Sequence, residues 1–144
     1  MAGKNRQFED AEQAALFDWA RLEFHMNLPK DFPNVGDWLF SVPNGGNRNA
    51  REVVRLKRQG LRPGVWDCFL PVVIHGQVDD ITPGLWIEMK KQRQHFKSKW
   101  EADHSLSENQ QIWGIQMEAM GYKTVVCYGF DDARKAILEY LDGR

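Results

Sequence analysis

Two acidic residues and a lysine in the middle of the chain are of the types that metal-assisted hydrolysis requires. Glu88 and Lys90 lie two positions apart at the end of the run GLWIEMK, and Asp67 opens the run DCFLPVVI. Side chains alternate along a strand, so Glu88 and Lys90 share one face. If the two runs pair, Asp67 comes beside Glu88. Two neighbouring carboxylates repel each other, and a hard cation such as Mg²⁺, with the Met89 carbonyl as a further ligand, would relieve the repulsion.

Such a centre has the chemistry of phosphodiester hydrolysis. A bound cation polarises a phosphoryl oxygen and lowers the pKa of a bound water, while Lys90 can orient the water or stabilise developing charge. The alternative is that Asp67 caps a turn and that Glu88 and Lys90 form a surface ion pair contributing less than about 1 kcal/mol. Taken alone, an E-x-K motif favours this alternative, because short motifs often occur by chance.

The elements that must position these residues form one α/β domain over residues 1–144, with a mixed central sheet flanked by helices. The predicted elements are a helix over 8–26, a strand over 38–42, a helix over about 49–59, a hairpin of DCFLPVVIHG and GLWIEMK, a helix opened by Ser105 or Ser107, a strand in YKTVVCYGF, and a helix in DDARKAILEYL capped by Asp131 or Asp132. Strand, helix and strand after residue 85 predict a parallel pair joined by a right-handed crossover.

Helical and strand periodicity also predicts which side chains face the core. The predicted core positions include Leu16, Trp19, Trp38, Ala50, Val53, Val54, Trp113, Met117 and Met120. Cys68 and Cys127 have no CxxC partner, so we expect reduced core thiols and a cytoplasmic protein. The chain has no apolar run near the roughly 20 residues of a membrane helix and no signal peptide, so no membrane partner is expected.

Four segments carry a family resemblance. RPGVWDCFLPVV, GLWIEMK, LSENQQIWGIQMEAMGYKTVVCYG and AILEYL resemble the VRR-NUC family of the PD-(D/E)XK nuclease superfamily, in particular its small stand-alone members from phages and bacteria. The resemblance spans about residues 9–141 and rests on a G-V-P-D turn, a strand ending in E-x-K and an S-x-x-Q helix. Trp66 replaces the proline of the family's turn.

The resemblance implies a PD-(D/E)XK nuclease-like core and an endodeoxyribonuclease dependent on Mg²⁺ or Mn²⁺, acting in a bacterial or phage-infected cell. It suggests branched, flap or Holliday-junction DNA as substrate, and a homodimer. The implied catalytic residues are Asp67, Glu88, Lys90, Gln110 and Glu9, and the implied metal ligands are Asp67, Glu88, Met89 and Glu9. Glu12 is the second candidate for the acid of the first helix. The alternatives are a helix N-terminal acid for either glutamate and a capping-box residue for Gln110.

Basic residues cluster in two segments, although the formal net charge is only -1. Residues 48–62 hold six basic residues and one acidic one, and residues 90–99 hold five basic residues and no acidic one. The predicted nucleic-acid contacts are Arg51, Arg55, Arg58, Arg62, Lys91, Arg93, Lys97 and Lys99.

The two basic segments have different predicted roles. The arginines recur at helical spacing opposite Val53 and Val54, and their alternative role is a solvated helix face. Residues 91–104 also contain His95, Phe96 and Trp100, and we expect a mobile loop that contacts unpaired or distorted nucleic acid. The other functions considered are a catalytically inactive DNA-binding module and, more remotely, an interaction protein with an acidic first helix.

Overall fold

The chain folds around a mixed β-sheet with helices on both faces. The computed structural model describes residues 2–22, 34–43 and 48–143. In chain order the elements are α1 (Ala2–Leu22), α2 (Val35–Trp38), β1 (Phe40–Ser41), α3 (Ala50–Arg58), β2 (Cys68–Leu70), β3 (Ile74–His75), β4 (Ile81–Thr82), β5 (Leu85–Lys90), a 3₁₀ turn (Arg93–His95), α4 (Lys99–Asp103), α5 (Glu108–Ala119), β6 (Lys123–Tyr128) and α6 (Phe130–Asp142).

The main sheet has the strand order β1-β2-β5-β6, and β3 and β4 form a small separate ribbon. Strand β2 pairs antiparallel with β5, and β5 pairs parallel with β6. The predicted hairpin, the parallel pair and the mixed α/β sheet are therefore confirmed. Cys68 lies opposite Ile87, and continuing this register by one residue places Asp67 opposite Glu88.

Strand β5 divides its side chains between two layers, as its alternation predicts. Leu85, Ile87 and Met89 belong to the buried core with residues of α1 and α6. Burial of each such aliphatic side chain contributes about 1.5–3 kcal/mol. Glu88 and Lys90 face the opposite side, where α5 lies. The core thus fixes the strand that carries the two polar residues.

Helix α5 is held against the sheet by Trp66. The indole Nε1 donates to the Gln110 carbonyl over 2.9 Å, and a Cβ on Gly114 would lie 2.7 Å from the indole Cζ2. Only glycine permits this close approach. Trp66 is therefore a packing residue that sets the distance between the turn before Asp67 and α5.

The first part of the chain departs from prediction at two places. Helix α1 begins at Ala2 instead of residue 8, because its first turns are polar and give no apolar periodicity; residues 23–26 of the predicted helix lie outside the described residues. The predicted strand over 38–42 is shortened to β1, since Asn34 caps the short helix α2 by accepting from Gly36 N. Trp38 ends that helix and is 55% exposed, so its predicted place in the core is wrong.

Helix α3 agrees with the predicted bounds but not with the predicted burial. Asn49 caps it by accepting from Glu52 N, and it ends just before Gly60. No side chain of this helix is fully buried. Ala50 and Val54 are exposed and Val53 is half-buried, because the helix lies at the periphery of the domain and does not pack into its core. The predicted inward orientation of Ala50 and Val54 is wrong.

Residues 91–104 form ordered elements and not the predicted loop. The 3₁₀ turn and α4 occupy most of the segment, and Ser98 caps α4 by accepting from Glu101 N. The spacing S-x-x-E at Ser98 is a capping signal that the loop interpretation overlooked.

Helix α5 confirms one predicted cap and corrects another prediction. Ser107, and not Ser105, opens it through a complete capping box with Gln110. Met117 is buried as predicted, but Met120 is 65% exposed because it follows the last helical turn.

Helix α6 begins one residue earlier than predicted and is capped differently. Gly129 is its N-cap, and neither Asp131 nor Asp132 caps it; Asp132 instead accepts a hydrogen bond from Tyr128 N. Both cysteines are free and buried, as predicted. In the part of the chain that the structure describes, no helix has both the length and the apolar character needed to cross a bilayer.

Candidate active site

Glu88 is a buried carboxylate with one engaged and one free oxygen. The residue is 2% exposed. Its Oε1 accepts from Gln110 Nε2 over 2.5 Å and lies 3.4 Å from Lys90 Nζ. Its Oε2 is buried and has no hydrogen-bond partner among the described residues. The alternative of a surface ion pair is therefore wrong, because both Glu88 and Lys90 are buried. A buried carboxylate oxygen without a partner is costly unless a proton or a cation meets it.

Asp67 is fixed beside Glu88 by hydrogen bonds to both neighbouring strands. Its Oδ2 accepts from Met89 N over 2.8 Å, and its own carbonyl accepts from Val42 N over 2.7 Å. The N–H and C=O of one strand residue point toward the same neighbour, so the Met89 carbonyl also faces Asp67.

Burial and the neighbouring Asp67 carboxylate disfavour charge on Glu88. The pKa of Glu88 is raised from its usual 4.5 to about 8, first by burial and then by the Asp67 carboxylate, while the Lys90 ammonium lowers it. Burial also raises the pKa of Asp67, and the Met89 N–H, the Lys90 ammonium and a hydrogen bond with the Glu88 carboxyl act in the opposite direction. The metal-free site therefore favours a proton on Glu88 near neutral pH. A divalent cation is the other occupant that compensates this charge.

Lys90 lies inside the cluster and not on the surface. Its Nζ lies 3.4 Å from Glu88 Oε1 and 3.4 Å from Gln110 Oε1, and the residue is buried. Its carbonyl accepts from Gly129 N over 2.9 Å. The backbone contact with Gly129 and the side-chain contact with Gln110 thus hold the Lys90 ammonium beside the Glu88 carboxylate.

Gln110 combines the two roles that the sequence left as alternatives. Its Oε1 accepts from Ser107 N over 2.9 Å and from Lys90 Nζ, and its Nε2 donates to Glu88. One amide therefore completes the capping box and contacts both polar residues of β5.

The structure separates the two candidate acids of α1. Glu9 is half-buried, and its pKa is raised by burial, lowered by Lys90 and raised by Asp67, so it lies within electrostatic reach of the cluster. Glu12 is fully engaged elsewhere: it accepts from Gln92 Nε2 and from Phe130 N, each over 2.6 Å. Glu12 thus supplies the side-chain cap that Gly129 lacks, and Glu9 remains the predicted ligand.

The contact between Glu12 and α6 depends on Gly129. This residue has a φ of 98°, which favours glycine. A Cβ there would lie 2.8 Å from Gln92 Cγ and 3.3 Å from Glu12 Oε2. No local sequence pattern signals this contact, because its partners are far apart in the chain.

The predicted nucleic-acid contacts divide into buried, paired and exposed residues. Lys91 is buried; its Nζ donates to Asn5 Oδ1 over 2.9 Å and lies 4.4 Å from the centre of the Phe96 ring. Arg93 pairs with Asp103 at 3.0 Å. Lys91 therefore does not belong to the exposed basic surface, whereas Lys97 and Lys99 do.

The predicted arginine row of α3 is exposed. Arg51, Arg55 and Arg58 line one groove together with Val54, so the predicted position of Val54 opposite the row is wrong. Arg62 lies beyond the helix, with its guanidinium 5.6 Å from the centre of the Trp113 ring.

The donor set suits a cation that needs few protein ligands. Among the described residues, no three or more His, Cys, Asp or Glu side chains form a group that could hold a metal ion. Mg²⁺ typically takes one or two carboxylates and completes its shell with water and substrate phosphate oxygens. Asp67, the unpartnered Glu88 oxygen and the Met89 carbonyl fit that requirement. A direct Glu9 ligand stays a prediction.

Comparison with known proteins supports the fold. No protein-family model and no curated protein matches the chain. A solved structure of a VRR_NUC domain protein is similar over 94% of this chain and 89% of its own, with 21% identity and a TM-score of 0.67. This likeness confirms the predicted α/β fold. The name of the solved protein agrees with the family that the sequence motifs resemble.

Proposed function

We propose that this protein is a metal-dependent endonuclease that hydrolyses DNA phosphodiester bonds. The observation that carries the proposal is the buried cluster of Asp67, Glu88, Lys90 and Gln110, in which one Glu88 oxygen has no partner among the described residues. A purely structural cluster of this kind would have to keep a proton on Glu88 to offset the desolvation, whereas a cation offsets it with both carboxylates charged. The shared fold with a VRR_NUC domain protein supports the same function.

The cofactor in this proposal is Mg²⁺ or Mn²⁺. Asp67, Glu88 Oε2 and the Met89 carbonyl would hold it, with Glu9 as a further ligand. When bound, such a cation supplies Lewis-acid polarisation of a phosphoryl oxygen and lowers the pKa of its water.

Lys90 and Gln110 organise the charges of this site. Both contact Glu88 Oε1, which leaves Oε2 as the oxygen free for a cation. Lys90 also brings a fixed positive charge to a buried position, where it can stabilise negative charge on a reacting phosphate more strongly than in water.

The exposed cations would hold the DNA backbone. Arg51, Arg55 and Arg58 border one groove, and Lys97 and Lys99 are exposed after β5. Each phosphate neutralised by such a residue releases counterions, so affinity should fall steeply with salt. Arg62 and Arg93 already contact protein groups and would contribute less.

The substrate proposed is branched DNA, such as a flap or a Holliday junction, cut by a homodimer. A two-fold dimer would present two equivalent sites to symmetric strands of a junction. Light scattering of the purified protein, with and without a four-way junction, tests this assembly. A monomer in both samples would contradict it without affecting the hydrolytic proposal.

The decisive experiment measures cleavage of labelled linear duplex, single-stranded, flap and four-way junction DNA with Mg²⁺ or Mn²⁺. Asp67→Ala and Lys90→Ala should lose cleavage, and Lys135→Ala, a lysine with a 75% exposed side chain, should retain it. Equal cutting by all variants would show a contaminant. If all of them only shift DNA in a gel, the inactive DNA-binding module takes the place of the nuclease.

A further inference from the structure

Trp100 is a large aromatic side chain that the fold leaves in solvent. It is 69% exposed, although indole is among the side chains that gain most from burial. Of the other rings in residues 91–100, Phe96 is half-buried and packs edge-on against Tyr128, and His95 is exposed and stacks on Phe8. Trp100 therefore presents the largest exposed ring of the segment.

The exposed ring is held by a second ring. His104 stacks on Trp100 with 4.3 Å between centroids and 18° between planes, and its Nδ1 lies 2.8 Å from the Trp100 carbonyl. A single stacked ring covers one face of the indole at most. The high exposure of Trp100 shows that much of its surface remains open for another flat group.

Helix α4, which carries Trp100, is braced against the active-site strands. Tyr128 lies opposite Lys90 in the β5–β6 register, and its hydroxyl donates to the Ala102 carbonyl over 2.8 Å. Arg93 and Asp103 close the segment with an ion pair of 3.0 Å. Trp100 is thus presented by a fixed element that leads from the catalytic strand to the cap of α5.

The charges around Trp100 favour an anionic ligand. Lys97 and Lys99 lie within the three residues before it and are exposed, and neither ammonium has an ion-pair partner among the described residues. The neighbouring acids are occupied, since Glu101 accepts from Lys97 N and Asp103 pairs with Arg93. A flat aromatic surface in the same short segment as two such cations suits a nucleotide, which combines a base with a phosphate.

We propose that Trp100, backed by His104 and preceded in the chain by the exposed Lys97 and Lys99, is a stacking site for an unpaired nucleotide of the DNA strand. The choice of DNA as ligand rests on the proposed nuclease function. A base inside an intact duplex has both faces stacked and cannot use this surface, whereas a flap or a single strand can. The site would therefore select substrates with unpaired nucleotides next to the cleavage centre.

Binding without cleavage tests this site separately from catalysis. Fluorescence anisotropy in EDTA gives the affinity of wild type, Trp100→Ala, Trp100→Phe and Trp38→Ala for labelled oligo-dT and for a blunt duplex. Trp38 is a matched control, because it is also exposed but lies on α2, outside the two basic segments. Loss of one stacked base should weaken oligo-dT binding by Trp100→Ala roughly 5- to 150-fold, with Trp100→Phe between it and wild type.

The outcomes separate the stacking site from the nuclease. Unchanged duplex binding and a selective loss for oligo-dT would support the site even if no cleavage is ever found. Equal losses for both ligands, no loss, or a loss matched by Trp38→Ala would overturn it, whether or not metal-dependent cutting is observed. Thermal unfolding of Trp100→Ala should match wild type, and a lower Tm with a uniform loss would assign Trp100 a structural role instead.

Discussion

The buried cluster around Glu88 and the exposed arginine row of α3 use charge in opposite ways. Glu88 and Lys90 lie within 3.4 Å of each other in the interior, where low dielectric makes each charge depend strongly on its partners. Arg51, Arg55 and Arg58 stand in solvent, where salt screens them and each contributes little alone. A single substitution in the Glu88 cluster should therefore abolish its function, whereas DNA affinity should fall with each arginine removed from the row of α3.

The largest expected effect is on catalysis by the buried cluster. Lys90→Ala removes the fixed positive charge and should lower kcat by about 10² to 10³, the usual cost of losing one preorganised charge-stabilising group. Single-turnover cleavage at saturating protein measures this step apart from binding. A loss confined to affinity, with kcat unchanged, would place Lys90 with the DNA-holding residues instead.

Glu12 and Glu9 should separate stability from activity. Glu12→Ala removes the acceptor of Phe130 N and Gln92 Nε2, so the free energy of unfolding should fall by about 1–3 kcal/mol. Urea denaturation measures this change. Glu9→Gln should unfold like wild type and lose cleavage; the reverse pattern would exchange the roles of the two glutamates.

The raised pKa of Glu88 predicts an unusual pH dependence in the metal-free protein. Because the folded pKa of about 8 exceeds the usual 4.5, the folded state binds more protons between these values. The contribution of Glu88 to stability should be full below pH 4.5 and be lost as the pH rises toward 8, by at most about 1.4 kcal/mol per pH unit. Unfolding in EDTA at several pH values tests this, and Glu88→Gln should flatten the curve.

The smallest effect per residue is expected on α3. Replacing Arg51, Arg55 and Arg58 by alanine should weaken duplex binding and lower the slope of log affinity against log salt by about 0.9 for each phosphate that the protein no longer neutralises. Lys135→Ala is the control for charge alone. An unchanged salt slope would show that the row is only a solvated face.

The regular elements around the site could be predicted because the signals are local. Alternation along β5 placed Glu88 and Lys90 on one face, and the acid or amide three residues after Ser105 and Ser107 limited the cap of α5 to these two serines, of which the structure selects Ser107. Both patterns depend on covalent geometry and on neighbours in the chain. The fold class follows from the same signals.

Burial and pairing were harder to predict, because they depend on elements distant in sequence. Val54 shows apolar helical periodicity but remains exposed at the edge of the body. Lys91 follows Lys90 among other basic residues, and only the position of α1 shows that its ammonium donates to Asn5. Glu12 differs from Glu9 for the same reason, since its partners follow β5 and β6, far along the chain.

The shared amide of Gln110 makes the first turn of α5 part of the candidate active site. The same side chain that accepts from Ser107 N also donates to Glu88. Helix ends open locally far more often than whole domains unfold. Each fraying of this turn would withdraw Gln110 from the carboxylate, so the opening rate of one helix end sets how long the charged cluster stays assembled.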